Sequence, residues 1–537
     1  MTTFNLLEEP WLPVRWRGNR YAGTAPPAAV GLREALIRAH DIAELATDNP
    51  LETISLNRLL AALVASVFPE LVNETDWFNT WDAGQFDASR IDDYLRQYST
   101  HFDLLSPVRP FYGHPQTDAK EISPLSRLQH AATSGNNALL FSHDLDSVPQ
   151  IMTFAEAARA LVCCQAAALG GGVAQPFNLC HGPLVGGAFF WLRGSVNGET
   201  SLFRALLLNL APTEKVWGNV DKDAHSATWE TQDPPKPLKD RQVYGVRSLF
   251  TFQSRRLQLI TDSDGKVAVG VRYNQGSKME RLFDDPHLAY YYNEKIGELP
   301  IRFSTSRALW QDSTIYMMAR EHQGHAPRTF EWLADPSTLD SLDMARHEPL
   351  LADVFGLVND QAKVELWRHE RVTIYPSIIN EPSRWIALQQ MIDSPQASTD
   401  DARVVAGRLR EAVRAFATRV RLNKPWGVRL GDVERADRDA FVQMIDAESR
   451  YWLILGSVFD TFLGQVATVP VEGEELQNLQ HRWQTTLRQT AQKALRQALE
   501  SFQQDARTLQ AQAEAELVLR HGTLYPKTDK SNKPETV

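Results

Sequence analysis

The residue types best suited to chemistry in this chain are histidines beside carboxylates, and they occur at two places. His143 and Asp144 form a doublet like that of metal phosphohydrolases, and Glu321, His322 and His325 set two imidazoles next to a carboxylate. Metal-dependent hydrolysis needs further ligands to complete either site. The glycine and proline around the second cluster indicate a surface loop. A metal-dependent hydrolase is therefore kept only as an alternative.

Other catalytic signatures are absent from the sequence. The three cysteines, Cys163, Cys164 and Cys180, are too few for a disulfide framework or a four-cysteine zinc site, and the first two fit the buried face of a helix. The chain has no Walker A motif, nucleophile elbow or dinucleotide-binding fingerprint. We expect a non-enzymatic protein with no cofactor and no bound metal.

Three loops have the composition of ligand-contacting surfaces. Side-chain amides donate and accept along a base edge, glycines let a backbone approach a ligand closely, and prolines stiffen a projecting turn. The residues are Asn136 and Asn137 in the first loop, Gly170, Gly171 and Gly172 in the second, and Asn380 and Glu381, between Pro376 and Pro382, in the third. Each loop also has a plain interpretation, as a turn, a helix end or a connector.

A row of arginines marks one face of a predicted helix. Arg403, Arg410, Arg414 and Arg421 fall within roughly 40° of one another at about 100° per residue, and Glu411 is the one acid between 403 and 424. Such a row repels itself unless an anion lies along it. We predict that it contacts phosphates, and the alternative is an ordinary solvated face.

The surrounding patterns indicate an α+β protein. Up to about residue 390, β-like runs mix with helical patches between turn signals. The predicted strands are 188–192, 256–260 and 267–273, and the predicted helices include 51–68 and 154–169.

The amino-acid composition changes near residue 398, where glycine and proline become rare. Amphipathic stretches cover 400–422, 437–463 and 474–520, the last long enough for two helices, and 382–392 could supply one more. Ser398 or Thr399 is the predicted N-cap of the first stretch. We predict a large mixed N-terminal domain over 1–394, a C-terminal four-helix bundle over 395–521, and a disordered tail over 522–537.

Composition and charge narrow the class of protein. The chain has 537 residues, 43% of them hydrophobic, and a formal net charge of -10, which argues against a surface that coats nucleic acid everywhere. The most apolar stretch, 157–174, contains Arg159 and ends in glycines, and residues 1–10 lack the pattern of a signal peptide. We expect a cytoplasmic protein that does not enter a membrane.

A series of short motifs, in order along nearly the whole chain, resembles the CasA family, the large subunit of the type I-E CRISPR Cascade complex. The motifs are Asn5-Leu6-Leu7, Pro10 to Arg15, Arg109-Pro110-Phe111, Ser123-Pro124-Leu125, Ser134 to Asn137, Gly170 to Gly172, Val246 to Phe250, and Phe303 to Trp310.

The resemblance implies a non-catalytic DNA-recognition subunit. Its implied partners are the other Cascade subunits, crRNA, double-stranded target DNA and the helicase-nuclease, and its implied role is to read the protospacer-adjacent motif, help open the duplex and stabilise the R-loop. The implied motif-reading residues are Asn136, Asn137, Gly170, Gly171, Gly172 and Lys278, the last chosen over Arg272.

Two positions depart from the pattern of that family. Some relatives have a glutamine on a strand-separating wedge where this chain has Glu381 beside Asn380, and a carboxylate is repelled by phosphates. Some relatives also have a zinc-binding cysteine cluster, whereas residues 181–537 contain no cysteine. A structural scaffold that never touches DNA remains the other alternative to motif reading.

Overall fold

A computed structural model describes residues 3–18, 25–115, 121–129, 150–171, 179–196, 199–216, 226–231, 238–281, 284–319, 323–360, 363–394, 400–421 and 435–521. The chain divides into two compact units. Unit 1 comprises residues 1–309 and 320–376, and unit 2 comprises residues 310–319 and 377–537.

Unit 1 contains the strands of the described chain and the helices of its first two thirds. The strands are β1 (Leu12–Trp16), β2 (Ala29–Val30), β3 (Ile42–Leu45), β4 (Phe189–Leu192), β5 (Ser195–Val196), β6 (Glu199–Thr200), β7 (Arg241–Val243), β8 (Arg255–Thr261), β9 (Ala268–Gln275), β10 (Met279–Arg281), β11 (Tyr290–Asn293), β12 (Gly297–Pro300), β13 (Gly324–His325), β14 (Leu350–Asp360) and β15 (Lys363–Ile374). The helices of unit 1 are α1 (Leu32–Ile37), α2 (Pro50–Val67), α3 (Glu74–Ala83), α4 (Ala88–Tyr98), α5 (Phe154–Ala167), α6 (Leu202–Asn209), α7 (Thr213–Val216), α8 (Val246–Phe250), α10 (Arg328–Leu333) and α11 (Pro336–Ser341), with α9 (Ser313–Tyr316) belonging to unit 2.

Helix α2 forms the centre of unit 1. Its first turn is capped by the Asn49 side chain, which accepts a hydrogen bond from the Leu51 N–H at 3.0 Å. The helix packs against α5, α6 and α8. It is apolar and long enough to cross a membrane, but 83% of that window is buried inside the fold. Burial on nearly all sides explains why it is hydrophobic around its circumference.

The sheets of unit 1 are small and mainly antiparallel. The long strands β14 and β15 form a hairpin that is extended by β4, and β8 pairs with β9 as a separate two-stranded ribbon. A third sheet has the order β12-β11-β13. The ribbon β8-β9 supports the candidate site described below.

Unit 2 is helical in its described part. Its remaining helices are α12 (Pro376–Asn380), which begins at the last residue of unit 1, α13 (Pro382–Ile392), α14 (Ala402–Arg421), α15 (Arg435–Ile445), α16 (Ala447–Thr468), α17 (Glu475–Leu499) and α18 (Ala506–His521). The long helix α14 packs against α16, α17 and α18, and α16 packs against α17. Leu409, Phe416, Leu455 and Trp483 are fully buried among them. The predicted fold class, a mixed N-terminal region followed by a helical bundle, is confirmed.

Several predicted elements need correction. The stretch 437–463 forms two helices, because Asp446 adopts a left-handed backbone with φ 50° and interrupts it. Asp401 caps α14, since its carboxylate accepts from the Val404 N–H at 2.8 Å, whereas Ser398 and Thr399 lie outside the described residues.

The unit boundary also differs from the predicted position at residue 394. Residues 377–394 group with the bundle, as do 310–319. Within unit 2 the Trp385 indole N–H donates to the Thr314 carbonyl at 2.8 Å, and the Trp310 ring lies 4.6 Å from that of Phe459. The predicted tail 522–537 lies outside the described residues.

Candidate nucleic-acid interface

The glycine loop begins where α5 ends in unit 1. Helix α5 starts at a capping box in which Thr153 and Glu156 satisfy each other's backbone N–H groups, and its last residue is Ala167. A β-carbon on Gly170 would lie 2.8 Å from the Leu179 carbonyl oxygen. Gly171 has φ 129°, and its N–H donates to the same oxygen at 2.9 Å. Glycine is therefore required at both positions, while Gly172 lies outside the described residues.

A buried arginine fixes the two ends of this loop. Arg255, at the start of β8, is 1% exposed, and its guanidinium donates to the carbonyls of Leu169 at 2.6 Å and Cys180 at 2.5 Å. Its Nε donates to the Tyr273 hydroxyl at 2.7 Å. All these acceptors are neutral oxygens. The hydrogen bonds of Arg255 therefore hold the backbone at Leu169 and Cys180 in one conformation.

The segment with Lys278 is joined to the same arginine. A β-carbon on Gly276 would lie 2.5 Å from the backbone nitrogen of Arg255, so the turn after β9 packs directly against the start of β8. Lys278 follows this turn, and its ammonium lies 3.4 Å from a carboxylate oxygen of Asp240 with half of its side chain exposed. The structure thus brings Gly170 and the Lys278 segment to one region, which sequence spacing alone could not do.

A histidine completes the frame of the glycine loop. The Gly170 N–H donates to Nδ1 of His181 at 2.9 Å. Burial, followed by the positive charges of Arg255 and Arg302, lowers the pKa of His181 below its ordinary value. The neutral ring that this favours is the form whose Nδ1 can accept the hydrogen bond.

Four residues around the glycine loop could not be identified from the sequence. Arg255, His181 and Tyr273 come from separate segments, and nothing in their spacing predicts that they meet. The Gln165 side chain also contributes, since its amide donates to the carbonyls of Tyr112 and Arg255 at 3.0 and 2.9 Å. The alternative basic residue, Arg272, lies on β9 and donates to the Gln258 side chain at 3.0 Å.

The remaining motif-reading residues cannot be placed. Asn136 and Asn137 lie outside the described residues, as do His143, Asp144, Glu321 and His322 of the hydrolase alternative. His325 is described, and its interpretation as part of a surface loop is wrong: it lies on β13 and is 5% exposed. Cys163 and Cys164 are buried as predicted, and burial raises the pKa of both thiols.

The proposed wedge lies in unit 2, and it is not a loop. Pro376–Asn380 and Pro382–Ile392 are helices that break at Glu381. The Glu381 carboxylate accepts from Nε of Arg384 at 2.7 Å, and Arg384 in turn donates to the carbonyls of Val466 and Val469 at 2.7 and 2.8 Å. The negative charge of Glu381 is therefore compensated inside unit 2, and Asn380 is left half-buried at the break.

The arginine row on α14 is not the uncompensated row that the helix pattern indicates. Arg403 pairs with Asp393 at 2.5 Å, Arg410 pairs with Glu448 at 2.5 Å, and Arg414 pairs with Glu411. The first two partners come from elsewhere in unit 2, which an i,i+4 analysis cannot see. The side chain of Arg421 lies outside the described part of the chain. Mutual repulsion is thus no reason to expect an anion along this helix.

Together these features define a class: a two-unit α+β protein with a helical bundle and a rigidly framed glycine loop. A family model described as CRISPR-associated protein Cse1 matches residues 5–494. The chain belongs to this family of CRISPR-associated proteins, also called CasA.

Individual relatives agree in sequence and fold. A curated CasA/Cse1 protein of Thermus thermophilus is 29% identical over 526 residues, covering 96% of each chain. The crystal structure of Thermus thermophilus CasA has a TM-score of 0.74 at 24% identity and covers 97% of this chain and 99% of its own. A chain of a structure titled CRISPR RNA-guided surveillance complex has a TM-score of 0.72 at 20% identity, covering 96% of this chain and 99% of its own.

Proposed function

We propose that this chain is a non-catalytic subunit of a cytoplasmic RNA-guided surveillance complex, with the other Cascade subunits and crRNA as partners, and that it reads the protospacer-adjacent motif in double-stranded DNA. Family membership supports the assembly. The observation that supports the role in motif reading is the set of contacts around Arg255, which brings the glycine loop and the segment of Lys278 together.

The chemistry of this region suits a minor groove. That groove is narrow and carries few distinguishing groups, so bare backbone and one long cation fit it better than bulky side chains. Gly170 and Gly171 supply the backbone, Lys278 supplies the cation, and Asn136 and Asn137 would add amides. Bound DNA would compete with Asp240 for the Lys278 ammonium, and a surface ion pair of this kind is weak.

The later steps belong to the same proposal. After motif reading, Asn380 and Glu381 would act at the point of strand opening, and Arg403, Arg410, Arg414 and Arg421 would hold flanking DNA in the R-loop. The chain would then recruit the helicase-nuclease. Because Glu381 and three of the arginines already have partners, we expect these residues to contribute less than the glycine loop.

The test is target binding by the remaining Cascade subunits and crRNA, with or without this chain, on duplexes that carry or lack the motif. We expect the chain to restore tight binding only to motif-bearing duplex. Lys278→Ala should weaken that binding about tenfold. The matched control is Lys266→Ala, because Lys266 is also exposed and lies 3.4 Å from an aspartate, Asp264, at the opposite end of the same ribbon.

The outcomes separate the alternatives. Equal enhancement on both duplexes would replace motif reading with general DNA binding. No enhancement, with normal assembly of the complex, would leave a scaffold. Equal loss in both lysine variants would show that the effect of Lys278 is not specific to its position.

A further inference from the structure

Three potential metal ligands converge in unit 1, and none of them is among the residues assigned to DNA. One nitrogen or oxygen atom from each of Asp284, Glu298 and His325 lies within 4.8 Å of the others. His325 is buried, Asp284 is half-buried and Glu298 is exposed. The cluster therefore has a buried imidazole on one side and solvent access on the other.

The three-stranded sheet positions two of these ligands. His325 on β13 is directly opposite Tyr290 on β11, and Glu298 on β12 is opposite Tyr292, two residues further along β11. Opposite residues share a face of the sheet, as do residues two apart, so both ligands lie on one face. The centroids of the Tyr290 ring and the His325 imidazole lie 4.8 Å apart. The Tyr290 hydroxyl accepts a hydrogen bond from the Asp285 N–H at 3.2 Å, which holds the segment next to Asp284 in place.

The contacts of His325 determine which ring nitrogen is available to bind a metal ion. Nδ1 lies 2.7 Å from the Ala326 carbonyl oxygen, which can only accept, so Nδ1 carries a proton. Nε2 lies 3.3 Å from a carboxylate oxygen of Asp284. In the neutral ring Nε2 directs a lone pair at that oxygen, an arrangement that a cation between the two atoms stabilises. Metal-binding histidines are held in this way, by a backbone carbonyl on the other nitrogen.

The spacing between His325 and Asp284 fits two ligands of one ion. A charge-assisted N–H to carboxylate bond is about 2.7 to 2.9 Å long. Two ligands at the ordinary zinc distances of about 2.0 to 2.2 Å in a tetrahedral site are separated by about 3.3 to 3.6 Å. The 3.3 Å between Nε2 of His325 and Asp284 matches the second geometry.

We propose that Asp284, Glu298 and His325 bind a divalent transition metal of the zinc class. Nε2 and one oxygen from each carboxylate would be the ligands, and water from the solvent side would complete four-coordination. Two carboxylate ligands suit a divalent ion, and the nitrogen ligand favours zinc-like ions over magnesium or calcium. The ion would clamp β12, β13 and the segment before β11. This departs from the absence of metal that the sequence predicts.

The experiment titrates the full, tag-free chain with Zn²⁺ by calorimetry and with Co²⁺ by absorption spectroscopy. We expect one ion per chain and a Co²⁺ spectrum of tetrahedral nitrogen and oxygen ligands. Glu298→Gln should lower the affinity at least about tenfold. Glu294→Gln is the matched control, because Glu294 is also an exposed acid and lies in the turn between β11 and β12. Glu298 is exposed, so its variant should fold normally.

A second measurement ties binding to the fold. Zn²⁺ should raise the melting temperature of the unmodified chain and of Glu294→Gln, but not that of Glu298→Gln. The proposal is overturned by a chain that binds no stoichiometric Co²⁺ or Zn²⁺, or by binding that survives both Glu298→Gln and Asp284→Asn. It is equally overturned by thiolate-to-cobalt charge-transfer bands, which would assign the ion to Cys180, the half-exposed cysteine.

Discussion

Arg255 in unit 1 and the arginine row on α14 in unit 2 perform different tasks. In unit 1, Arg255 is buried and donates to neutral oxygens that determine the shape of the glycine loop. In unit 2, Arg403, Arg410 and Arg414 are partly exposed and pair with carboxylates. Removing the buried donor leaves half-buried carbonyl oxygens without their partner, whereas water readily replaces the partner of an exposed side chain. Burial, and not charge, therefore decides which arginines the fold depends on.

The largest expected effect is that of Arg255→Met. The variant keeps the length of the side chain but leaves the carbonyls of Leu169 and Cys180 without their donor, and we expect a loss of about 3 kcal/mol in the free energy of unfolding. Urea denaturation measures it. Arg272→Met, on the same ribbon, removes a hydrogen bond to the Gln258 side chain and should cost about 1 kcal/mol or less. Equal losses in the two variants would contradict the special role of Arg255.

A second buried side chain of unit 1, His287, should make the free energy of unfolding depend on pH. Burial is the main reason why the pKa of His287 falls to about 4. Between its unfolded pKa of about 6.5 and pH 4 only the unfolded state gains this proton, so the free energy of unfolding should fall by about 2 to 3 kcal/mol as the pH falls through this range, with no contribution above it.

The measurement is the free energy of unfolding against pH for the unmodified chain and for His287→Gln, whose amide can still donate to the Asn209 carbonyl. We expect a shallower pH dependence in the variant. His481→Gln, on the exposed surface of α17, should keep the full slope. Equal slopes in all three proteins would place the acid sensitivity elsewhere.

Two glycine-to-alanine substitutions test the role of the glycine loop in motif reading, because the new β-carbon has space in one case and not in the other. Gly170→Ala places a β-carbon 2.8 Å from the Leu179 oxygen and must shift the loop, so motif-dependent binding by the assembled complex should fall about tenfold. Gly407→Ala, on α14, has no atom within 4 Å of the new carbon and should stabilise the helix by up to about 1 kcal/mol. Retained motif preference in Gly170→Ala would separate the glycine loop from motif reading.

The smallest effects are expected for the arginine row. Arg410→Ala, Arg414→Ala and Arg421→Ala combined should reduce DNA affinity similarly on all sequences and flatten its salt dependence. Glu448→Gln offers the opposite change, since it releases Arg410 from its partner and should raise sequence-independent affinity slightly. If neither change alters affinity or its salt dependence, the row is an ordinary surface.

Local patterns determined the elements of this protein and their order. The periodicity over 382–392 and 154–169 predicted α13 and α5 closely, and the residue pattern over 256–260 and 267–273 predicted the strands β8 and β9. Amphipathic spacing also predicted the bundle. These features depend on neighbours a few residues apart, which the sequence displays directly.

Only the tertiary structure decided what the chemically active residues contact. Arg410 meets Glu448 and Arg255 meets Cys180 across long separations in the chain, so a helix pattern could count charges but not pair them. His325 sits beside glycine and proline, the local signal of a loop, yet pairing of β13 with β11 buries it. Burial and partner choice come from contacts distant in sequence, and these are the quantities that set the cost and the use of a charge.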